Sequence, residues 1–205
     1  MKNIESAVHT LEYLQLDQVL LDRSIALVGM PGSGKSTVAR QLARRLSLEL
    51  IDSDALIEQR IKCPIRTFFE AEGEDSFRVI EQEVIADIAA KAGQVIATGG
   101  GAVVRASNRL ALRAGCHVVY LRSTPEELLR RLRHDTQRPL LQVHDPLRRL
   151  RELFAERDSL YRETAHYVVD TGRPSVPMLV NMVLMQLELA GLVDPRTVAQ
   201  RGPHR

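Results

Sequence analysis

The sequence predicts an α/β fold with three layers, in which helices cover both faces of a central parallel sheet. Short apolar runs, typical of buried strands, alternate with longer segments whose apolar residues recur at helical spacing. The first run, at 24–28, leads into a glycine-rich loop and then into a helical pattern over 36–46. Because parallel strands joined by helices end at the same edge of a sheet, we expect the ligand site at that edge.

The remaining elements follow the same alternation. Strands are predicted at 24–28, 48–51, 94–97, 116–121 and 167–170. Helices are predicted over 36–46, 55–60, 67–92 (one helix or two, broken near Gly73), 125–133, 146–161 and 176–189. We expect one domain over 23–190, preceded by a helical extension at 1–22 and followed by a tail at 191–205.

Charge and composition exclude several classes of function. A net charge of +2 over 205 residues favours neither a nucleic-acid partner nor a membrane surface. Arginines crowd the stretch 130–157, and solvated helix faces are one interpretation of them, about as well supported as a functional one. No secretory leader is apparent, and Cys63 and Cys116 lack metal or redox spacing, as in a reducing compartment. We expect a cytoplasmic monomer whose partner is a small molecule.

The loop at 29–36 matches the phosphate-binding pattern G-x-x-x-x-G-K-[ST] in full. Its position between a buried strand and an amphipathic helix is the context in which backbone N–H groups surround a phosphate. The sequence therefore predicts ATP as co-substrate, with Mg²⁺ as its metal ion. The candidate nucleotide-binding residues are Gly32, Ser33, Gly34, Lys35, Ser36 and Thr37, in which Lys35 reaches the β- and γ-phosphates and Ser36 binds the metal.

Two carboxylates follow the second predicted strand. Asp52 and Asp54 are two residues apart, so on an extended segment both side chains would point the same way. One carboxylate can hold Mg²⁺ while the other accepts a hydrogen bond from an attacking hydroxyl. The alternative is that Asp54 only caps the helix predicted at 55–60.

Two further groups point to the acceptor. Arg78 and Glu81 are three apart in a predicted helix and can pair, although a surface ion pair would have the same spacing. Three glycines, Gly99, Gly100 and Gly101, follow the third strand and allow close approach of a ligand to the backbone. A flexible turn is the alternative interpretation of these glycines.

Taken together, these motifs resemble the shikimate kinase family. The resemblance is carried by the phosphate loop, Asp-x-Asp at 52–54, Gly-Glu-x-x-Phe-Arg-x-x-Glu at 73–81, Gly-Gly-Gly at 99–101, Arg-Pro-Leu-Leu at 138–141, and Arg157 four residues before Tyr161. It spans about 24–173. It implies a P-loop kinase fold with a helical substrate-binding segment, a mobile lid at about 134–144, and phosphorylation of shikimate at its 3-hydroxyl.

The resemblance also implies residue roles. Asp54 would bind and orient the attacking hydroxyl, and Asp52 would hold Mg²⁺ together with Ser36. The shikimate carboxylate would be bound by Arg78 and Arg157, with backbone N–H groups of the three glycines contributing. Arg138 would close from the lid onto the phosphates, and Arg173 would lie near the adenine. The implied catalytic residues are Lys35, Asp54 and Arg138.

Two other functions remain open at this level. A gluconate kinase or a similar small-metabolite kinase would share the phosphate loop and a lid. A catalytically silent sensor of a shikimate-like ligand would share the fold without turnover. ADP formation that depends on shikimate would separate the three interpretations.

Overall fold

The computed structural model describes residues 22–132, 144–172 and 174–194. Several predicted features lie outside these residues. They are the extension at 1–22 apart from Asp22, all of the lid at 134–144 except His144, Arg173, and the part of the tail beyond 194.

Five strands form one sheet in which every pairing is parallel. They are β1 (Ser24–Val28), β2 (Glu49–Asp52), β3 (Gln94–Ala97), β4 (Cys116–Arg122) and β5 (Tyr167–Asp170). Their order in the sheet is β2-β3-β1-β4-β5, and Ile25 lies opposite both Val95 and His117. The predicted parallel sheet is confirmed, with β1 at its centre.

Seven helices are found in the described residues and pack around this sheet. They are α1 (Lys35–Leu46), α2 (Ser53–Ile61), α3 (Ile65–Ala89), α4 (Ala106–Gly115), α5 (Pro125–Leu132), α6 (Pro146–Thr164) and α7 (Val176–Leu189). Inside α3, Gly73 has φ 79° and ψ 175°, which interrupts the helix where a break is predicted. None of the helices in the described part of the chain is both long enough and apolar enough to span a membrane.

The two faces of the sheet bury separate apolar clusters. Successive residues of β1 alternate between them: Ala26 and Val28 join one cluster, and Ile25 and Leu27 join the other. The first cluster is completed by α3, α4 and α6, the second by α1 and α7. Since both faces are covered, the central strands are apolar throughout, which is why they read as continuous runs in the sequence.

Helix α4 is absent from the sequence-based prediction. Its side chains do not follow a simple amphipathic pattern, because Leu110 is 70% exposed whereas the polar Asn108 is buried. The residue before it, Arg105, makes no side-chain cap. The segment therefore lacks an N-terminal capping signal, and these two positions blur its amphipathic pattern.

The start of α2 corrects two expectations about the carboxylate pair. Asp52, not Asp54, is the N-cap: its Oδ1 accepts hydrogen bonds from the backbone N–H groups of Asp54 (3.1 Å) and Ala55 (3.3 Å). Asp54 lies in the first helical turn, so the two side chains do not share one extended segment. The alternative in which Asp54 serves only as a cap is wrong.

The strand order brings the predicted site segments together. The phosphate loop follows β1, Asp52 ends β2, and Gly99 comes shortly after β3. These three strands are neighbours in the order β2-β3-β1, and the chain crosses from one side of β1 to the other before β4. Crevices at such a crossing are where open parallel sheets bind ligands.

Candidate active site

The phosphate loop lies between the carboxyl end of β1 and the amino end of α1. Gly34, directly before the helix, has φ 95°, a backbone angle that other residues rarely adopt. The Lys35 Nζ donates to the carbonyls of Gly29 (2.8 Å) and Met30 (3.0 Å), so the ammonium group lies against its own loop. A phosphate at the helix end would offer it a stronger partner.

Ser36 and Asp52 form a pair of oxygen ligands beside this loop. The Ser36 hydroxyl donates to Asp52 Oδ2 at 3.3 Å, while Asp52 Oδ1 is held by the α2 backbone. Hydroxyl and carboxylate oxygens suit Mg²⁺, which usually keeps several waters and binds through few protein ligands. Among the described residues, no three Asp, Glu, His or Cys side chains gather as a metal cage.

Asp54 lies where two cavities meet. One cavity, of about 400 Å³, is lined by the phosphate loop and α1, and includes Lys35 and Ser36. The other, of about 850 Å³, is lined by α2, α3, the glycines after β3, and α6. Both cavities share Pro31, Asp54 and Gly100. A group transferred from one cavity to the other would pass Asp54.

Burial makes Asp54 a stronger proton acceptor than an ordinary aspartate. Loss of solvation, reinforced by the nearby Asp52 carboxylate, raises the pKa of Asp54 to about 6, and Lys35 only partly opposes this shift. Near neutral pH the group is ionised yet close to its pKa, which is the condition for general acid–base chemistry.

Arg78 and Glu81 form a buried ion pair in the larger cavity. Arg78 Nη1 donates to Glu81 Oε2 at 2.7 Å, and the two residues are only 8% and 2% exposed. Burial raises the pKa of Glu81, although Arg78 opposes that shift. The predicted pairing is therefore present, and its burial rules out the alternative of a surface ion pair.

Arg157 reaches the same cavity from α6. Its Nη1 donates to the carbonyl of Gly100 at 3.3 Å, and the hydroxyl of Tyr161, one turn further along the helix, donates to the same oxygen at 2.5 Å. Two helices thus bring two guanidinium groups to one cavity, with Arg78 on α3 and Arg157 on α6. This arrangement suits an anionic ligand, most directly a carboxylate.

The three glycines have defined contacts, so the alternative of a merely flexible turn is wrong. The N–H of Gly99 donates to Ser53 Oγ at 2.9 Å, and the carbonyl of Gly100 is held by α6. A side chain at Gly101 would collide with the guanidinium of Arg78. The expectation that all three backbone N–H groups face the ligand therefore needs correction, since that of Gly99 already has a protein partner.

Arg131 is a candidate site residue that the sequence analysis missed. It lines the phosphate-loop cavity, and its Nη1 donates to Thr171 Oγ1 at 3.2 Å and to the carbonyl of Ser33 at 3.4 Å. Solvated helix faces are one interpretation of the arginines at 130–157, but Arg131, on α5, is partly buried against the phosphate loop and the segment after β5. Its position just before the predicted lid was the available signal.

The comparisons with known proteins point in one direction. A family model described as shikimate kinase matches residues 31–188. A shikimate kinase of Paracidovorax citrulli is 58% identical over 84% of this chain and 96% of its own length. The chain belongs to the shikimate kinase family. Membership makes it an ATP-dependent kinase and a transferase.

Solved structures agree with this family and with the observed fold. A shikimate kinase from Acinetobacter baumannii, determined in complex with shikimate, superposes with a TM-score of 0.78 at 42% identity, covering 84% of this chain and 96% of that one. A gluconokinase from Sinorhizobium meliloti reaches a TM-score of 0.53 at 20% identity, covering 83% and 94%. The second likeness concerns the fold alone.

Proposed function

We propose that this chain transfers the γ-phosphoryl group of ATP to the 3-hydroxyl of shikimate, giving shikimate 3-phosphate and ADP in aromatic amino acid biosynthesis. The observation that carries the proposal is the position of Asp54 between the phosphate-loop cavity and a cavity with two arginines. Shikimate is a small carboxylate with three hydroxyls, so it needs cations at one end and a hydroxyl-orienting carboxylate at the other. The choice of the 3-hydroxyl follows from the family.

On the acceptor side, Arg78 and Arg157 would bind the carboxylate of shikimate. Their separate origins, in α3 and α6, allow two guanidinium groups to approach one carboxylate from different directions. The backbone of the glycine loop would then pack against the ring, with Gly100 fixed in place by Tyr161. Asp54 would accept a hydrogen bond from the hydroxyl that attacks.

On the nucleotide side, the backbone of the phosphate loop and Lys35 would bind the β- and γ-phosphates. Ser36 and Asp52 have the ligand chemistry to hold Mg²⁺, which, when bound, would neutralise charge on the phosphate oxygens. Lys35 would leave the carbonyls of its own loop and follow the charge of the transferring group. Arg131 would contribute a further positive charge at the wall of this cavity.

Proton transfer falls to Asp54. As the acceptor oxygen bonds to phosphorus and the bond to the leaving ADP breaks, the hydroxyl proton passes to the Asp54 carboxylate. Because its pKa is raised to about 6, Asp54 accepts this proton more readily than an aspartate with the usual pKa would. Since phosphoryl transfer needs little covalent help from protein, positioning and charge stabilisation supply most of the rate.

Other parts of the proposal concern the whole molecule. Arg138 would close from the lid and stabilise charge on the transferring phosphoryl group, and Arg173 would lie near the adenine. The segment 23–190 would act as a single kinase domain, with the extension at 1–22 and the tail from 191 outside it. We further propose a cytoplasmic monomer that binds small molecules and neither nucleic acid nor a membrane.

An acceptor panel tests the activity. ADP release with ATP and Mg²⁺ is measured with shikimate, gluconate and AMP as separate acceptors. Release with shikimate alone is expected. Release with gluconate instead would favour a gluconate kinase and contradict the roles of Arg78 and Arg157, whereas tight shikimate binding without ADP release would indicate a silent sensor.

A further inference from the structure

Glu74 occupies a position in the larger cavity that shikimate binding does not explain. This residue directly follows the helix break at Gly73. Its side chain pairs with Arg78, one turn further along α3. A single carboxylate oxygen, Glu74 Oε1, accepts from Arg78 Nε at 3.1 Å and from Arg78 Nη2 at 2.8 Å. Arg78 therefore already contacts a carboxylate on the side opposite to Glu81.

The guanidinium of Arg78 has few ways to accept a second carboxylate. Its Nη1 is bound to the buried Glu81, and Gly101 packs so closely against Nη1 and Nη2 that a side chain there would collide with them. The edge formed by Nε and Nη2 is the two-donor edge that remains, and it is the edge that Glu74 occupies. A carboxylate ligand and Glu74 therefore compete for the same two nitrogens.

We propose that Glu74 is a built-in competitor for the substrate carboxylate, which must be displaced before shikimate binds and which thereby sets the affinity for shikimate. This inference rests on the proposed function, since it deepens the assignment of the same site. Glu74 thus acts on specificity and affinity, through Arg78, and takes no part in the transfer itself.

The difference in burial between the two glutamates shows which of them can leave. The side chain of Glu81 is only 2% exposed, so on leaving Arg78 it would be a buried charge without a cation or water to stabilise it. The side chain of Glu74 is 61% exposed, so it can rotate into solvent and be hydrated there. Exposed ion pairs are weak, so a ligand carboxylate can replace Glu74 at small cost. Arg78 stays oriented throughout, because Glu81 continues to hold Nη1.

Charge balance in the cavity supports the same conclusion. Among the charged residues that line the cavity, Arg78 and Arg157 with Glu74 and Glu81 form a set of two cations and two carboxylates that is neutral before a ligand enters. The other charged lining residues are Asp54, Glu58, Glu70, Arg66 and Arg149. An anion gains little from a neutral group. Once Glu74 turns away, one positive charge is left over, which the carboxylate of shikimate neutralises. The competitor thus keeps the arginines paired in the absence of substrate.

The test is Glu74→Gln, which keeps the shape and removes the charge. We expect the KM for shikimate and its calorimetric Kd without nucleotide to fall about fivefold, equivalent to about 1 kcal/mol. The gain should lie in KM rather than in kcat, and the KM for ATP should not change. Glu70→Gln is the matched control, because Glu70 is similarly exposed near this cavity but pairs with Arg66.

Each outcome decides the matter. A fall in KM and Kd for Glu74→Gln alone supports the inference. An unchanged or higher value, or an equal fall for Glu70→Gln, overturns it, since Glu74 would then be a support of Arg78 or merely one of several negative charges. If the unaltered protein binds shikimate without releasing ADP, the proposed function fails, and the same Kd comparison still decides the role of Glu74. Absence of any shikimate binding overturns both.

Discussion

The two sides of the active site are built in different ways. On the nucleotide side, the phosphate loop is one continuous segment, 29–37, whose backbone shape and helix end prepare it for phosphate, and Asp52 and Arg131 join it from β2 and α5. The acceptor side is assembled from side chains on α2, α3 and α6 together with the loop after β3. Local geometry is thus sufficient for the phosphate loop itself, whereas the acceptor side exists only after the whole domain has folded.

The electrostatics of the two sides differ as well. Lys35 donates to backbone carbonyls, which are neutral partners that a phosphate can readily replace. Arg78 is held in ion pairs, one of them fully buried. Substitutions on the nucleotide side should therefore affect turnover, while those on the acceptor side should affect substrate affinity and also stability.

Lys35→Ala should give the largest effect and test whether the two sides can be separated. We expect kcat to fall about a thousandfold, because charge stabilisation on the transferring phosphoryl group is lost. Shikimate affinity, measured by calorimetry without nucleotide, should not change. Lys91→Ala, just beyond the end of α3 and away from the phosphate-loop cavity, is the control and should keep full turnover. A large loss of shikimate affinity in Lys35→Ala would show that the two sides are coupled.

Asp54→Asn removes the group that both sides share. Turnover should fall about a hundredfold or more, since no side chain then accepts the hydroxyl proton. In the unaltered protein, kcat/KM should decrease as the pH falls through about 6, where Asp54 becomes protonated. The measurement is kcat/KM in steady-state assays at saturating Mg²⁺ between about pH 5 and pH 7, about one unit either side of that pKa. A kcat/KM that does not change over this range would contradict the role of Asp54 as proton acceptor.

The same substitution should stabilise the fold at neutral pH. The folded-state pKa of about 6 lies above the usual value of 3.8 for an aspartate, so the native state favours the protonated form. The carboxyl therefore contributes most stability below about pH 4 and loses it as the pH rises through 6. Asp54→Asn should raise the free energy of unfolding by about 1–3 kcal/mol at pH 7, and by little at pH 4, in urea titrations. An equal gain at both pH values would argue against burial of the charge.

Arg78→Ala tests the acceptor side. We expect the KM for shikimate to rise about thirtyfold to a hundredfold with the KM for ATP unchanged, because a charge-assisted contact is lost. Glu81 would be left buried without its cation, so thermal stability should fall too, and Arg78→Ala combined with Glu81→Gln should recover part of it. Arg66→Ala, which breaks only an exposed pair, is the control. Unchanged shikimate affinity would show that Arg78 is structural.

The difference between local and long-range contacts explains what the sequence could predict. The strands and the phosphate loop follow from local patterns: a fully buried strand reads as a continuous apolar run, and G-x-x-x-x-G-K-[ST] fixes its own backbone. The pairing of Arg78 with Glu81 follows from their spacing within one helix. Each of these signals lies within a few residues of the chain.

The features that were missed depend on distant contacts. Arg131 becomes a site residue only because Ser33 and Thr171, 98 and 40 residues away, lie beside it. The side-chain pattern of α4 is hidden because the polar Asn108 faces inward while Leu110 faces solvent. Neither spacing nor propensity carries such tertiary information. The start of α2 is a different case, because Asp52 and Asp54 are both suitable N-cap residues and the sequence does not show which of them begins the helix.

Tyr161→Phe should give the smallest effect and test how the acceptor side is held together. The substitution removes one of the two donors to the carbonyl of Gly100 and leaves only Arg157, so the glycine loop and Arg157 would be less well positioned. We expect kcat/KM for shikimate to fall about threefold to tenfold. Tyr120→Phe is the matched control: its ring stacks on Tyr161, but its hydroxyl donates to Asp158.

Both variants lose one hydrogen bond of a buried tyrosine, which should lower the free energy of unfolding by about 1 kcal/mol each. Only Tyr161→Phe should also change kcat/KM. Equal kinetic losses in both would mean that the packing of the two rings, rather than the contact with Gly100, positions α6.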